Sequence, residues 1–157
     1  MPTESNTGPL NDSMLHLLHR AGQVADELFA EEMRGSELTP RQFAVLQVLE
    51  RLETASQTAI VNETGIDRST LADIVKRLVA RGLIARRRSK TDARAYAVRL
   101  TAAGREALKG AEPASERVES RLLKVLPQGR RDAFVDSLSQ LVRSLAEQVP
   151  PEKGTGR

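Results

Sequence analysis

Three observations predict a mainly α-helical fold carrying one short β-hairpin. Leu, Ala and Val are plentiful while the aromatics amount to three Phe, one Tyr and no Trp, a balance that favours helices over sheets. Apolar residues recur at spacings of three and four along most of the chain and alternate clearly only from Tyr96 to Leu100. Two short capped segments meet at Gly65 and lead at once into the basic stretch Arg86-Arg87-Arg88-Ser89-Lys90-Thr91-Asp92-Ala93-Arg94-Ala95. Helix, turn, helix and hairpin in that order form a winged helix-turn-helix.

The first element, 13–33, sets Met14, Leu17, Leu18, Ala21, Val24, Ala25, Leu28 and Phe29 on one face. A helix of that length with an apolar stripe needs a partner. Thr39-Pro40-Arg41-Gln42 then starts a second helix: Thr39 caps, Pro40 suits the first helical position, and Gln42 stands where a capping-box side chain reaches back. It continues through Phe43, Leu46, Val48, Leu49 and Leu52. Ser56 opens a shorter helix through Ile60 and Val61 that stops at Gly65, and Asp67 caps the next, which carries Leu71, Ile74, Val75 and Leu78.

Beyond Arg81-Gly82, two short strands are expected, Leu83 to Arg86 and Tyr96 to Leu100. Thr101 caps a helix that should reach Leu126 with a bend near Pro113, because proline deletes a helical hydrogen bond. A last helix, Arg130 to Val149, aligns Phe134, Leu138, Leu141, Val142 and Leu145. At 157 residues the chain is expected to be a single domain, 1–157. Within it the lobe spans 39–100, and the segments 1–11 and 150–157, rich in Pro and Gly, are expected to be flexible tails.

Charge is unevenly placed. From Thr39 to Leu100 there are 12 Lys/Arg against 6 Asp/Glu, whereas the remainder holds 12 against 15. A basic middle between acidic flanks is the pattern expected of a lobe that faces a polyanion. With no cysteine, disulfides, thiolate metal sites and thiol-based oxidant sensing are excluded. No apolar run approaches the roughly 18 residues of a membrane span, and 1–12 lacks a signal-peptide apolar region, so no membrane partner and a cytoplasmic location are expected.

No strand leads into a glycine-rich phosphate loop, and no nucleophile, base and orienting group stand in a recognisable arrangement. A non-enzymatic protein without a cofactor is therefore expected. His16 and His19 share a helix face, yet no cysteine or acidic cluster completes a metal set, so no metal is expected. Asn62-Glu63-Thr64 matches a glycosylation acceptor only by chance, since it falls on a predicted helix.

On a helical wheel centred on Leu71, Val75 and Leu78, the side chains farthest from the core are Ser69, Asp73 and Lys76, flanked by Thr70 and Arg77. These are the candidates for a DNA major groove, with Arg68 placed to hold a phosphate. Asp73 is the awkward member: a carboxylate facing phosphates makes sense by accepting from a cytosine amino group or by orienting a neighbouring Arg. In the hairpin, Arg86, Arg88, Lys90 and Arg94 are cationic candidates. Asp92, two residues before Arg94, is placed to pose that guanidinium toward a narrow minor groove. The rival reading is a winged-helix module whose basic face binds an acidic protein.

The run Thr64-Gly65-Ile66-Asp67-Arg68-Ser69-Thr70-Leu71, then Arg77-Leu78 to Arg81-Gly82-Leu83-Ile84, then Asp92-Ala93-Arg94-Ala95, then Leu100-Thr101-Ala102-Ala103-Gly104 resembles the multiple antibiotic resistance regulator (MarR) family of bacterial winged-helix repressors. The resemblance implies an intertwined homodimer whose platform is built from 13–33 and 101–149, with two lobes straddling a palindromic DNA operator. By the same likeness Arg94 is the wing arginine of the minor groove, Asp92 its partner, and Ser69 and Thr70 contacts of the recognition helix. Ala72 and Asp73 depart from the polar or basic residues many relatives carry there.

The family also implies a small effector bound between platform and lobe that alters lobe spacing and releases DNA. His16, His19 and Arg20 on the first helix, with Phe43 and Val45 on the second, are the candidates to line its pocket. The stretch Arg41 to Leu46 with Ala55-Ser56-Gln57-Thr58 is similar to a branch associated with aromatic-acid catabolism. That likeness implies a phenolic or cinnamate-type acid, or its coenzyme A thioester, as effector.

Overall fold

Local capping chemistry sets most of the boundaries in the computed structural model, which describes residues 13–88 and 96–149. Helix α1, Met14–Glu32, begins where the Ser13 hydroxyl accepts from the His16 amide. Helix α2, Pro40–Leu52, carries both halves of a capping box: the Gln42 amide donates to Thr39 Oγ1 and the Thr39 amide to Gln42 Oε1, each at 3.2 Å. Helix α3, Gln57–Thr64, is capped by Ser56 and closed by Gly65, whose φ of 69° lies in the left-handed region that glycine enters without a Cβ clash. Helix α4, Arg68–Ala80, starts from Asp67.

The sheet corrects the expectation of two strands. Strand β1 is only Ala55–Ser56, β2 is Ile84–Arg88 and β3 is Tyr96–Leu100, in the order β1-β3-β2 and antiparallel throughout. Ala55 pairs with Val98 and Ser56 with Ala97, so β1 exists through a partner far along the chain and has no periodicity of its own to read. Strand β2 starts one residue later and runs two residues farther toward the hairpin tip than the alternation indicated.

Helix α5, Ala102–Lys124, runs without interruption through Pro113. The Lys109 carbonyl, deprived of a helical donor by the proline, lies on an exposed stretch where water can serve it. At its start, Thr101 caps Gly104 at 3.0 Å, and its own amide donates to Leu83 O at 3.1 Å. The Thr101 hydroxyl lies 2.6 Å from Gly82 O and 3.0 Å from Leu83 O, placed to donate to either. Gly104 packs so tightly here that an added Cβ would stand 1.9 Å from Leu83 O.

The core joins α2, α3, α4 and the sheet through Leu46, Leu49, Ile60, Leu71, Leu78, Ile84 and Val98. The rear of α1 reaches it through Phe29, whose ring centroid lies 5.6 Å from that of Phe43. The same end is clasped to α5 by Arg117–Glu32 at 2.6 Å and by Arg121 with Glu31 at 3.3 Å and Glu32 at 3.2 Å. Apolar surface is left over elsewhere. Helix α6, Arg131–Ala146, follows a 3₁₀ turn at Gln128–Arg130 and buries none of its residues. Its Phe134, Val135, Leu138, Val142 and Leu145 are 40–57% exposed, and Met14, Leu15 and Leu17 at the front of α1 are 50–65% exposed. Among the described residues no helix is long and apolar enough to cross a membrane.

Candidate nucleic-acid interface

Helix α4 is held by its apolar side and offers its polar side. Leu71, Ile74, Val75 and Leu78 are buried, while Arg68, Ser69, Asp73, Lys76 and Arg77 are exposed and Thr70 is half-buried. A period of 3.6 residues dictates this division. Asp67 Oδ1 accepts from the Thr70 amide at 2.8 Å. Hydrogen bonds from the Thr70 side chain and then the Thr70 backbone hold the Asp67 carboxyl below the usual carboxylate range. One of the amides that helix α4 would otherwise offer to a phosphate is thus already engaged.

Two of the exposed cations have partners. Arg68 Nη1 donates to Thr58 Oγ1 at 3.2 Å, linking the start of α4 to α3. Arg77 Nε donates to Asp73 Oδ2 at 2.8 Å, one helical turn back. Thr58 was not among the sequence candidates, since nothing local announces that a residue ten positions upstream meets Arg68.

The register of the hairpin sorts its cations. Opposed pairs are Ile84–Leu100, Ala85–Arg99, Arg86–Val98, Arg87–Ala97 and Arg88–Tyr96. Opposed residues share a face and neighbours alternate. Arg86 and Arg88 therefore extend the face whose inner part is the buried Ile84, Val98 and Leu100, which share one core with Leu71 and Leu78 of α4. Arg87 and Arg99 lie on the reverse face, where Arg99 lines a hollow of about 470 Å³ with Glu50, Glu53, Thr54 and Arg105. The basic density of the hairpin is thus divided between two sides. Lys90, Asp92 and Arg94 lie outside the described residues.

Among the described residues, the cavities lined by α2 side chains do not gather the effector candidates. Phe43 and Val45 sit in the core, 5% and 0% exposed, because α2 buries its 42, 43, 45, 46 and 49 side. His16 is half-buried, His19 is exposed, and Arg20, also exposed, donates to Gln23 Oε1 at 3.2 Å. A cleft of about 830 Å³ lies on the opposite side of α2, between Pro40, Arg41, Ala44, Val48 and Arg51 and the turn from Glu63 to Asp67. None of the five candidates borders it. Among the described residues no group of three or more His, Cys, Asp or Glu is placed to hold a metal ion.

Comparison with known proteins matches residues 36–95, from the α1–α2 connection to the residue before β3, to the MarR family. A Thauera aromatica protein assigned to transcriptional regulation of the hcr operon is 30% identical over 152 residues, covering 88% of this chain and 92% of its own. The transcriptional repressor CouR, solved on a 23-mer DNA duplex, superposes with a TM-score of 0.80 at 33% identity, over 89% of this chain and 99% of that one. CouR has also been solved with p-coumaroyl-CoA, at a TM-score of 0.79, 32% identity and the same coverage. Bordetella bronchiseptica BpsR, whose DNA binding is regulated by 6-hydroxynicotinic acid, gives a TM-score of 0.79 at 31% identity, covering 83% of this chain and 94% of that one. With its helix order, three-stranded sheet and outward-facing α4, the chain belongs to the MarR family and is a transcriptional regulator of that type.

Proposed function

We propose that two copies of the chain form a repressor that grips a palindromic DNA operator and lets go when a small aromatic acid, or its coenzyme A thioester, binds. The observation that carries this reading is α4, whose apolar side is buried while its Ser69, Lys76 and Arg77 are exposed, with Arg86 and Arg88 of the following strand β2 exposed as well. In the proposed complex, Ser69, Thr70, Lys76 and Arg77 enter the major groove and Arg68 holds a phosphate. Arg86, Arg88 and Lys90 follow the backbone, and Arg94, posed by Asp92, reaches the minor groove.

Dimerisation falls to 13–33 and 101–149. The exposed apolar faces of α1 and α6 support this, since a second copy laid across them would cover both. The effector class is supported by CouR and BpsR, solved or described with an aromatic acyl thioester and an aromatic acid. His16, His19 and Arg20 stand at the front of α1 beside the surface the second copy would cover. The proposed pocket therefore closes only in the dimer.

The test is fluorescence anisotropy on a duplex recovered by selection, across a salt series. A dimer using several Lys and Arg per half-site gives a steep linear fall of log affinity with log salt. Arg94→Ala is expected to stay folded and dimeric and lose most of the affinity. Undiminished binding by that variant removes Arg94 from the mechanism, and salt-independent binding removes the phosphate contacts.

A further inference from the structure

Helix α4 contains a single acidic residue, Asp73, and it stands on the outward face among Ser69, Lys76 and Arg77. A carboxylate there weakens attraction for phosphates, so some gain must offset it. The side chains of Asp73 and Arg77 are 57% and 68% exposed, and neither is needed to fill the core. Their 2.8 Å bond lies within the range of charge-assisted hydrogen bonds, and an acid one turn before a base is the favoured order on a helix.

The atom used decides what the pair can do. A guanidinium is planar and rigid, with one N–H on Nε and two on each terminal nitrogen. Holding it at Nε fixes the plane and leaves the terminal fork, which matches O6 and N7 on the major-groove edge of guanine. Lys76 next to it offers a point charge with no such fork. Asp73 Oδ2 is occupied by Arg77, which weakens the alternative that this carboxylate itself accepts from cytosine.

We propose that Asp73 is a positioning residue that holds the Arg77 guanidinium by its Nε, so that Arg77 reads one guanine in each half-site of the operator. This rests on the DNA-binding reading given above. It explains why an acid persists on a surface otherwise suited to a polyanion: affinity for DNA in general is exchanged for discrimination at one base.

The experiment uses the full chain and a duplex enriched from a randomised pool by the wild-type protein. Each guanine of that duplex is replaced in turn by 7-deazaguanine, which lacks the N7 acceptor, and affinity is read by anisotropy. Wild type is expected to lose about 5- to 150-fold at one guanine per half-site. Asp73→Ala and Arg77→Lys should each abolish that penalty while melting close to wild type. Asp73→Ala should bind a scrambled duplex as well as wild type or better, and the double variant should behave as Arg77→Lys alone.

An Asp73→Ala protein that keeps the full guanine penalty overturns the proposal. So does one that keeps it and loses discrimination at a cytosine instead, which would make the carboxylate a direct reader. A wild-type protein that enriches a duplex with no sensitive guanine overturns this proposal alone, whereas one that enriches no duplex overturns the DNA-binding reading as well.

Discussion

Replacing Gly104 with alanine should unfasten the joint between α5 and the start of β2. The added methyl would sit 1.9 Å from Leu83 O, 3.0 Å from Leu83 C and 3.2 Å from Leu100 Cδ2. An ordinary carbon–oxygen contact is near 3.3 Å, so helix and carbonyl must part by roughly 1.4 Å. The obstacle is backbone and cannot rotate away. Overpacking of this kind costs about 1–3 kcal/mol. The shift also stretches the Thr101 hydroxyl bond to Gly82 O or Leu83 O and the Thr101 amide bond to Leu83 O, at about 1 kcal/mol for each one lost.

Against this, alanine is favoured over glycine within a helix by about 1 kcal/mol. The net expectation is a loss of about 2–4 kcal/mol, or a melting temperature lowered by roughly 4–16 °C for a chain of this size. Gly110 supplies the control, because it lies in the same helix with nothing within 4 Å of an added Cβ. Gly110→Ala should gain the helix preference and melt about 2–4 °C higher. Both variants are followed by circular dichroism at one fixed protein concentration, since association shifts apparent stability. If Gly104→Ala melts with or above Gly110→Ala, the close approach at Leu83 is not the constraint described.

Two further outcomes are expected. The Arg117 hydrogen bond, with a lesser one from Arg121, holds the Glu32 carboxyl below its ordinary value, and Thr70 does the same for Asp67. Both groups bind protons more readily when unfolded, so the stability they add is complete above the ordinary carboxylate range of about 4 and is lost as pH falls through the lower folded values. Melting temperature should stay level from neutral pH to about 5 and drop below about 4, less steeply in Glu32→Gln; an identical acid slope in that variant removes Glu32 from the account. On α6, Leu138→Asp with Val142→Asp places charge on the exposed apolar face. Light scattering should give two chains for wild type and a shift toward one for the variant, and a wild-type mass of 17.2 kDa at every concentration would refute the dimer.

What the sequence made legible was what short-range chemistry decides. Thr39, Ser56, Asp67 and Thr101 are each caps in the structure because a cap concerns only its own residue and the next three. The outward set on α4 followed equally from its buried set. Features made by distant partners were hidden: β1 is two residues defined by β3, and Gly104 matters because of Leu83. The spacing of Asp73 and Arg77 allowed their pairing, but Nε as the donor came only with the side-chain geometry. Phe43 and Val45 show another limit. Apolar periodicity marks the side of a helix that avoids water and does not separate a wall of a cavity from the interior of a core.

Ser56 carries a double duty whose consequence reaches beyond stability. Its hydroxyl caps α3 while its backbone, in β1, pairs with Ala97 of β3, so one residue ties the first helix of the recognition unit to the second hairpin strand. A hairpin tilted relative to α3 would strain one of that residue's two attachments. In the proposed complex, this link would favour a constant spacing between α3 and the hairpin within one lobe. In the proposed dimer, an effector would then act by swinging whole lobes against each other, as calipers open without bending their jaws.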